Sequence, residues 1–216
     1  MQGSPILEIE RLNVTFETPL GTVRAVRNVS FSMGREKLAI VGESGSGKSQ
    51  TGRAILGLSD GKVTARRLDF HGRSLLGLLP REWREISGRR IAMVMQDPKY
   101  SLNPVMRVGE QLIEAMSAEA SGAKARARAM DMLEAVKIRD PMRVYRAWPH
   151  ELSGGMGQRV MIAMMLIPEP DILIADEPTS ALDVTVQLQV LAIIDELVTQ
   201  RGMGLIFISH DLKLVA

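Results

Sequence analysis

Apolar and polar residues alternate from Ile6 to Glu10 and again from Val23 to Met33, which predicts two half-buried strands. Thr18-Pro19-Leu20-Gly21 supplies turn chemistry between them. Lys37-Leu38-Ala39-Ile40-Val41 is a short apolar run, the pattern of a strand buried on both faces. Gln50 to Leu56 can continue as a helix, and Val63 to Phe70 and Arg90 to Gln96 predict further strands. Pro98, Asn103 and Pro104 then break regular structure. From Val108 to about Val136 the period changes: Leu112, Ile113 and Met116, then Met130, Leu133 and Val136, recur at helical spacing. The stretch from about Gly155 to Leu166 reads as a helix. Ile172-Leu173-Ile174-Ala175-Asp176 is an apolar strand ending in an acid. Val184 to Gln200 predicts a helix closed by Gly202 and Gly204, and Leu205-Ile206-Phe207-Ile208-Ser209 another buried strand.

Strands alternating with helices imply an α/β protein with a largely parallel sheet covered on both faces. Residues from about 97 to 157 read as a helical lobe inserted into a core of residues 1–96 and 158–216. Lys124, Arg126 and Arg128, set among alanines, read as a solvated helical face. Ligands of such sheets bind beyond the carboxyl ends of the strands. Gly42, Gln96, Asp176 and His210 each fall at or just past the end of a predicted strand, so four candidates converge on one edge.

Composition narrows the partners. The chain has 216 residues, 45% hydrophobic and 24% charged, enough for one large domain with a full core. No run approaches the length of a membrane span, and the N-terminus lacks a signal-peptide profile. Cysteine is absent, which excludes disulfides and thiolate metal sites and suits a reducing cytosol. A net charge of +2 and 4% aromatic residues give no footing for a nucleic-acid partner. The 14 methionines read as adaptable packing.

Gly42-Glu43-Ser44-Gly45-Ser46-Gly47-Lys48-Ser49, between a predicted strand and a helix opening near Gln50, fits the phosphate loop G-x-x-x-x-G-K-[ST]. Glycines let the backbone wrap a phosphate, and the helix N-terminus directs its N–H groups at the same anion. Lys48 would reach the β- and γ-phosphates and the Ser49 hydroxyl would hold Mg²⁺. A nucleoside triphosphate is the expected ligand, and the loop alone leaves kinases, GTPases, helicases and transport ATPases open.

Leu152-Ser153-Gly154-Gly155-Met156 resembles the signature motif of ATP-binding cassette (ABC) ATPases. Standing alone, Ser153 would be a plain helix cap. The resemblance implies a P-loop NTPase cassette with a mostly parallel sheet, an N-terminal antiparallel β part and the helical lobe. It also implies that Ser153, Gly154 and Gly155 close on ATP held by a second ATPase subunit. Asp176 matches the Walker B acid that acts on Mg²⁺, and Glu177 the catalytic carboxylate. His210 matches the switch histidine and Gln96 the Q-loop glutamine, which touches both Mg²⁺ and the attacking water. Ser180-Ala181-Leu182-Asp183 resembles the D-loop, although Asp183 is also a natural cap for the helix from Val184. Phe16 lies where the family places an aromatic on adenine, and a strand phenylalanine in the core reads equally well. His71 and His150 receive no chemical role.

Gln96-Asp97-Pro98-Lys99-Tyr100-Ser101-Leu102-Asn103-Pro104, with Asp183-Val184-Thr185-Val186-Gln187 and Pro149-His150-Glu151-Leu152, resembles the oligopeptide, dipeptide and nickel importer branch. That implies an ATPase at the cytoplasmic face of the cell membrane. Its partners would be two permease subunits and, indirectly, a periplasmic solute-binding protein. Peptides are the favoured solute. A nickel importer and a soluble, non-transport ABC ATPase are the alternatives. Met156 stands where the family most often has Gln, and Gly157 where this branch has Arg. Family cassettes continue past the position of Ala216, so the resemblance also predicts a missing C-terminal end and an apolar sheet edge.

Overall fold

The computed structural model describes residues 4–98, 101–116, 122–180 and 182–211. The first two alternating stretches extend into one long hairpin, β1 (Leu7–Thr18) against β2 (Gly21–Met33). Thr18 pairs with Gly21, so Pro19 and Leu20 alone make the turn, and Gly21 takes a φ of 119° that a side chain would resist. The predicted strand from Val63 to Phe70 is two strands, β4 (Lys62–Thr64) and β5 (Arg67–Phe70). Both pair antiparallel with β1, and β6 (Arg73–Ser74) follows β5 through a turn at His71 and Gly72.

A second sheet is wholly parallel, in the order β3-β9-β8-β7: β3 (Lys37–Val41), β9 (Gly204–Ser209), β8 (Ile172–Asp176) and β7 (Ile91–Val94). Strands β7, β8 and β9 are buried on both faces because both are covered, whereas β3, predicted to be buried as well, is an edge strand, with Lys37 and Ala39 exposed and Leu38, Ile40 and Val41 half-buried. Ile91, Met93, Ile172, Ile174, Ile206 and Ile208 belong to one core shared with α1 (Lys48–Ile55) and the antiparallel sheet. Their alternates Ala92, Val94, Leu173, Ala175 and Leu205 belong to a second core, with α6 (Gly154–Leu166) and α7 (Val184–Arg201). This two-residue alternation makes the sheet a partition between two apolar layers. Ile174 is 0% exposed, and truncating it to alanine would cost about 2–5 kcal/mol.

The remaining segments show where periodicity falls short. The helical spacing read between Val108 and about Val136 falls on two helices, α3 (Val108–Ala115) and α4 (Gly122–Ala135). Lys124, Arg126 and Arg128 are exposed, and Arg128 reaches Glu169 and the Ile167 carbonyl, each at 2.8 Å. Two short helices, α2 (Pro80–Ile86) and α5 (Pro141–Arg146), escape the periodic pattern because each is too short to show a repeat. Their start signals are local: proline opens each, and Asp140 accepts a hydrogen bond from the Arg143 N–H at 3.0 Å. Among the described residues no helix is long and apolar enough to cross a membrane.

Candidate nucleotide-binding and hydrolysis site

Parallel pairing sends the carboxyl ends of β3, β9, β8 and β7 to the same edge. Gly42 follows β3, Glu177 follows β8, His210 follows β9, and Gln96 lies two residues beyond β7. The loop from Gly42 to Gly47 then turns into α1, which packs beneath the sheet. Gly52 allows this close approach: a Cβ there would stand 3.3 Å from both Ile174 and Ile208. As a result the start of α1 lies against the end of β8, and the Ser49 hydroxyl donates to Asp176 Oδ1 at 2.8 Å.

The loop is a cradle that side chains would fill. Gly45 and Gly47 have φ of 79° and 92°, and a Cβ on Gly47 would sit 2.1 Å from the Ala25 carbonyl oxygen. Lys48 is 8% exposed and its ammonium donates to the Gly42 and Glu43 carbonyls, each at 2.8 Å. Glu43, Ser44 and Ser46 are exposed along the loop, and the Ser46 N–H donates to the Glu43 carbonyl. Gln50 accepts from the Ser59 hydroxyl at 3.3 Å. Between β2 and this loop lies a cavity of about 580 Å³, walled by Arg24, Ala25, Val26 and Arg27 as well as by the glycines and Lys48. These β2 residues carry no sequence signal, since only the register of the hairpin brings them to the loop. Phe16 pairs with Val23, is half-buried against the core, and is not among the residues walling that cavity.

Asp176 and Glu177 are neighbours with different environments. Asp176 is buried, and that burial, reinforced by the Glu177 charge, pushes its carboxyl above the ordinary carboxylate value against the pull of the Ser49 hydrogen bond. Glu177 has a φ of 46°, in the left-handed region that costs a non-glycine residue about 1 kcal/mol. Its N–H donates to the Ile208 carbonyl at 3.0 Å, which ties the turn to β9. His210 Nδ1 lies 3.0 Å from Glu177 Oε1, joining the ends of β8 and β9. Gln96 is exposed and among the described residues makes no hydrogen bond, so the structure does not bring it to Ser49 or Asp176.

The second motif lies at the start of α6. The Ser153 hydroxyl accepts from the Met156 N–H at 3.4 Å, and Gly154 and Gly155 form the first turn. Asp183 caps α7 in the same way, accepting from the Val186 N–H at 3.1 Å. The two helix starts touch: a Cβ on Gly155 would stand 2.6 Å from Val186 Cγ1. Of the predicted D-loop, Ala181 lies outside the described residues, as do Lys99 and Tyr100 of the branch motif.

A phosphate cradle, a buried lysine and a hydroxyl–carboxylate pair define a nucleoside-triphosphate site. Among the described residues no cluster of three metal-ligating side chains of the His, Cys, Asp or Glu type occurs. One hydroxyl and one carboxylate are nonetheless the donor set Mg²⁺ takes when phosphates and water complete its shell, so the residues fit that ion. The family pattern described as ABC transporter matches residues 26–180, and the chain belongs to this family. The chain is 47% identical to the oligopeptide transport ATP-binding protein OppD of Escherichia coli (strain K12), over 100% of this chain and 65% of that protein. It is 44% identical to the dipeptide transport ATP-binding protein DppD of Lactococcus lactis subsp. cremoris, over 100% of this chain and 64% of that protein. The chain therefore spans a little under two thirds of the length of these curated relatives. Among solved structures, the dimeric bacterial ABC transporter cassette MJ0796 superimposes with a TM-score of 0.83 at 28% identity, covering 96% of this chain and 89% of that one. The same cassette in a post-hydrolysis dimer bound to ADP and Pi gives a TM-score of 0.81 at 27% identity, over 96% and 89% of the two chains.

Proposed function

We propose that the chain is the ATP-binding and hydrolysing part of an ABC importer of oligopeptides or dipeptides, acting at the cytoplasmic face of the cell membrane. One observation carries the chemistry: Lys48, Ser49, Asp176, Glu177 and His210 meet at one edge of the parallel sheet, with Ser49 on Asp176 and His210 on Glu177. The solute class rests on the similarity to OppD and DppD along the whole chain.

In this reading the backbone from Gly42 to Gly47 wraps the triphosphate and Lys48 meets its negative charge. Mg²⁺, when bound, would be held by Ser49 and Asp176 and would neutralise charge on the phosphate oxygens, and Gln96 would reach it only by moving from its exposed position. Glu177 orients the attacking water and accepts its proton, which requires a carboxylate placed before the substrate arrives. His210 holds that carboxylate from one side and senses the terminal phosphate from the other. The cavity beside β2 takes the ribose and base, and Phe16, which packs on the core outside that cavity, takes no part in holding the adenine. Ser153, Gly154 and Gly155 of one copy cap the nucleotide held by a second subunit, and Asp183 places the D-loop at that junction. Residues 97–157 form the lobe that faces two permease subunits, and a periplasmic solute-binding protein delivers the peptide. ATP binds the closed pair more tightly than the open one, so hydrolysis reopens it.

ATP hydrolysis by the parent chain, Lys48→Ala and Glu177→Gln tests the assignment. Lys48→Ala should lose ATP binding, whereas Glu177→Gln should bind ATP and hydrolyse it roughly 10²–10⁴ more slowly. Parental turnover by Glu177→Gln would reject Glu177 as the base.

A further inference from the structure

Gln158 occupies the second turn of α6 and is 1% exposed. A fully buried primary amide is costly unless its polar atoms are used. Its Nε2 donates to the backbone carbonyl of Pro178 at 2.5 Å, 20 residues away in the chain. Pro178 directly follows Glu177 and is itself buried, so its carbonyl is sealed from water. Two further bonds define the same turn: the Glu177 N–H to Ile208 on β9, and the Ser180 hydroxyl to the Glu177 carbonyl at 3.2 Å. The turn that places Glu177 is thus held from β9 on one side and from α6 on the other.

The next residue extends the tie. Arg159 donates through one nitrogen to the Lys137 carbonyl at 3.0 Å and through the other to Gln189 of α7 at 2.6 Å. Gly155 packs directly on Val186, as described above. The start of α6, the turn after β8 and the start of α7 are therefore fastened at three points. A shift at the Ser153 end of α6 cannot leave the Glu177 turn behind.

We propose that Gln158 is a positioning residue for hydrolysis: through the Pro178 carbonyl it sets where the Glu177 carboxylate stands, and it ties that carboxylate to the Ser153 end of α6. Gln158 touches neither nucleotide nor water. This rests on the ATPase reading above. Loss of the bond leaves the phosphate loop intact, so binding persists while the water is held poorly.

The test uses the full-length protein in its assembled complex, with Gln158→Leu to remove the donor and Gln158→Glu to keep the shape. Gln158→Leu should lower kcat about tenfold, the scale of one buried hydrogen bond. KM and the dissociation constant for ATP should change by less than about twofold. Gln158→Glu should be impaired at alkaline pH and regain activity relative to the parent as pH falls, because the protonated carboxyl can donate to Pro178 again. Should Gln158→Leu fail to fold, that pH-dependent ratio decides alone. A kcat loss matched by an equal loss of ATP affinity would show general loosening and overturn the role. A parent complex that binds ATP without hydrolysing it would instead sink the ATPase reading. Parental rates in the Gln158 variants, with hydrolysis still dependent on Glu177, would remove Gln158 from the mechanism alone.

Discussion

The Ser49 hydroxyl donates to the Asp176 carboxylate at 2.8 Å across 127 positions of sequence. The contact joins the first turn of α1 to the end of β8 and places a buried charge where a divalent cation would be held. Burial raises the Asp176 carboxyl above its ordinary value, and the consequence for stability has a definite sign. The stabilising contribution is fully present below the unfolded-state carboxylate value, where both states are protonated. It is lost as pH rises through the folded value, because the buried site must then carry a charge.

Asp176→Asn removes that charge while keeping an acceptor for Ser49. Without Mg²⁺ at neutral pH the variant should melt about 2–4 °C higher, the shift expected for about 1 kcal/mol in a domain of this size. The fall in stability with rising pH from the mildly acidic range should flatten in the variant. Mg²⁺ should no longer improve its ATP affinity. Calorimetry and pH-dependent denaturant unfolding measure these effects, and an unchanged or lowered melting temperature would contradict the electrostatic account.

Gly47→Ala should cost at least about 2 kcal/mol and abolish ATP binding, because the new methyl would meet the Ala25 carbonyl oxygen at 2.1 Å and the backbone has φ of 92°. Gly45→Ala has nothing within 4 Å of the added Cβ, so only its φ of 79° resists, at about 1 kcal/mol. Equilibrium unfolding of the two variants separates steric collision from conformational strain.

Ser153→Ala removes the cap of α6 and should cost about 1 kcal/mol of stability. ATP binding to the separate subunit should be unaffected, since the phosphate loop is distant in sequence and supplies its own donors. ATP-dependent association of two copies carrying Glu177→Gln should be lost. Size-exclusion chromatography with and without ATP would show this, and undiminished association would argue against a role in trans.

Asp171→Ala should destabilise the chain by about 1–3 kcal/mol without altering nucleotide affinity. Asp171 accepts from Arg90 Nε at 2.5 Å and Arg35 at 3.3 Å, with His71 Nε2 at 3.7 Å. It immediately precedes β8, at the amino end of the strand and away from the hydrolytic edge. A joint readout of melting temperature and ATP affinity separates this structural tie from the site.

Much of the site is legible in local sequence because its chemistry is local. The Gly42–Ser49 cradle needs consecutive residues, and Ser153 and Asp183 act on N–H groups three residues away. The apolar strands β8 and β9 stand out because a doubly covered part of the sheet leaves no polar alternation, whereas β3 is equally apolar in sequence yet lies half-exposed at an edge. The two sets of helically spaced residues between Val108 and Val136 mark α3 and α4, but the bounds of these helices were not legible, since spacing alone sets no ends. Helices α2 and α5 are shorter than a periodic signal requires, and only local signals mark their starts, Pro80 for α2 and Asp140 with Pro141 for α5.

By itself the order of residues determined which groups can bind a triphosphate, that β8 and β9 are buried on both faces and where α6 and α7 begin. These depend on contacts within a few positions, or on a repeat along one element. Only the tertiary structure decided that Ser49 meets Asp176, that His210 meets Glu177, that β2 walls the cavity beside the phosphate loop and that Gln158 holds Pro178. Each joins residues far apart in the chain, and strand order, register and helix packing set such distances rather than any pattern along the backbone.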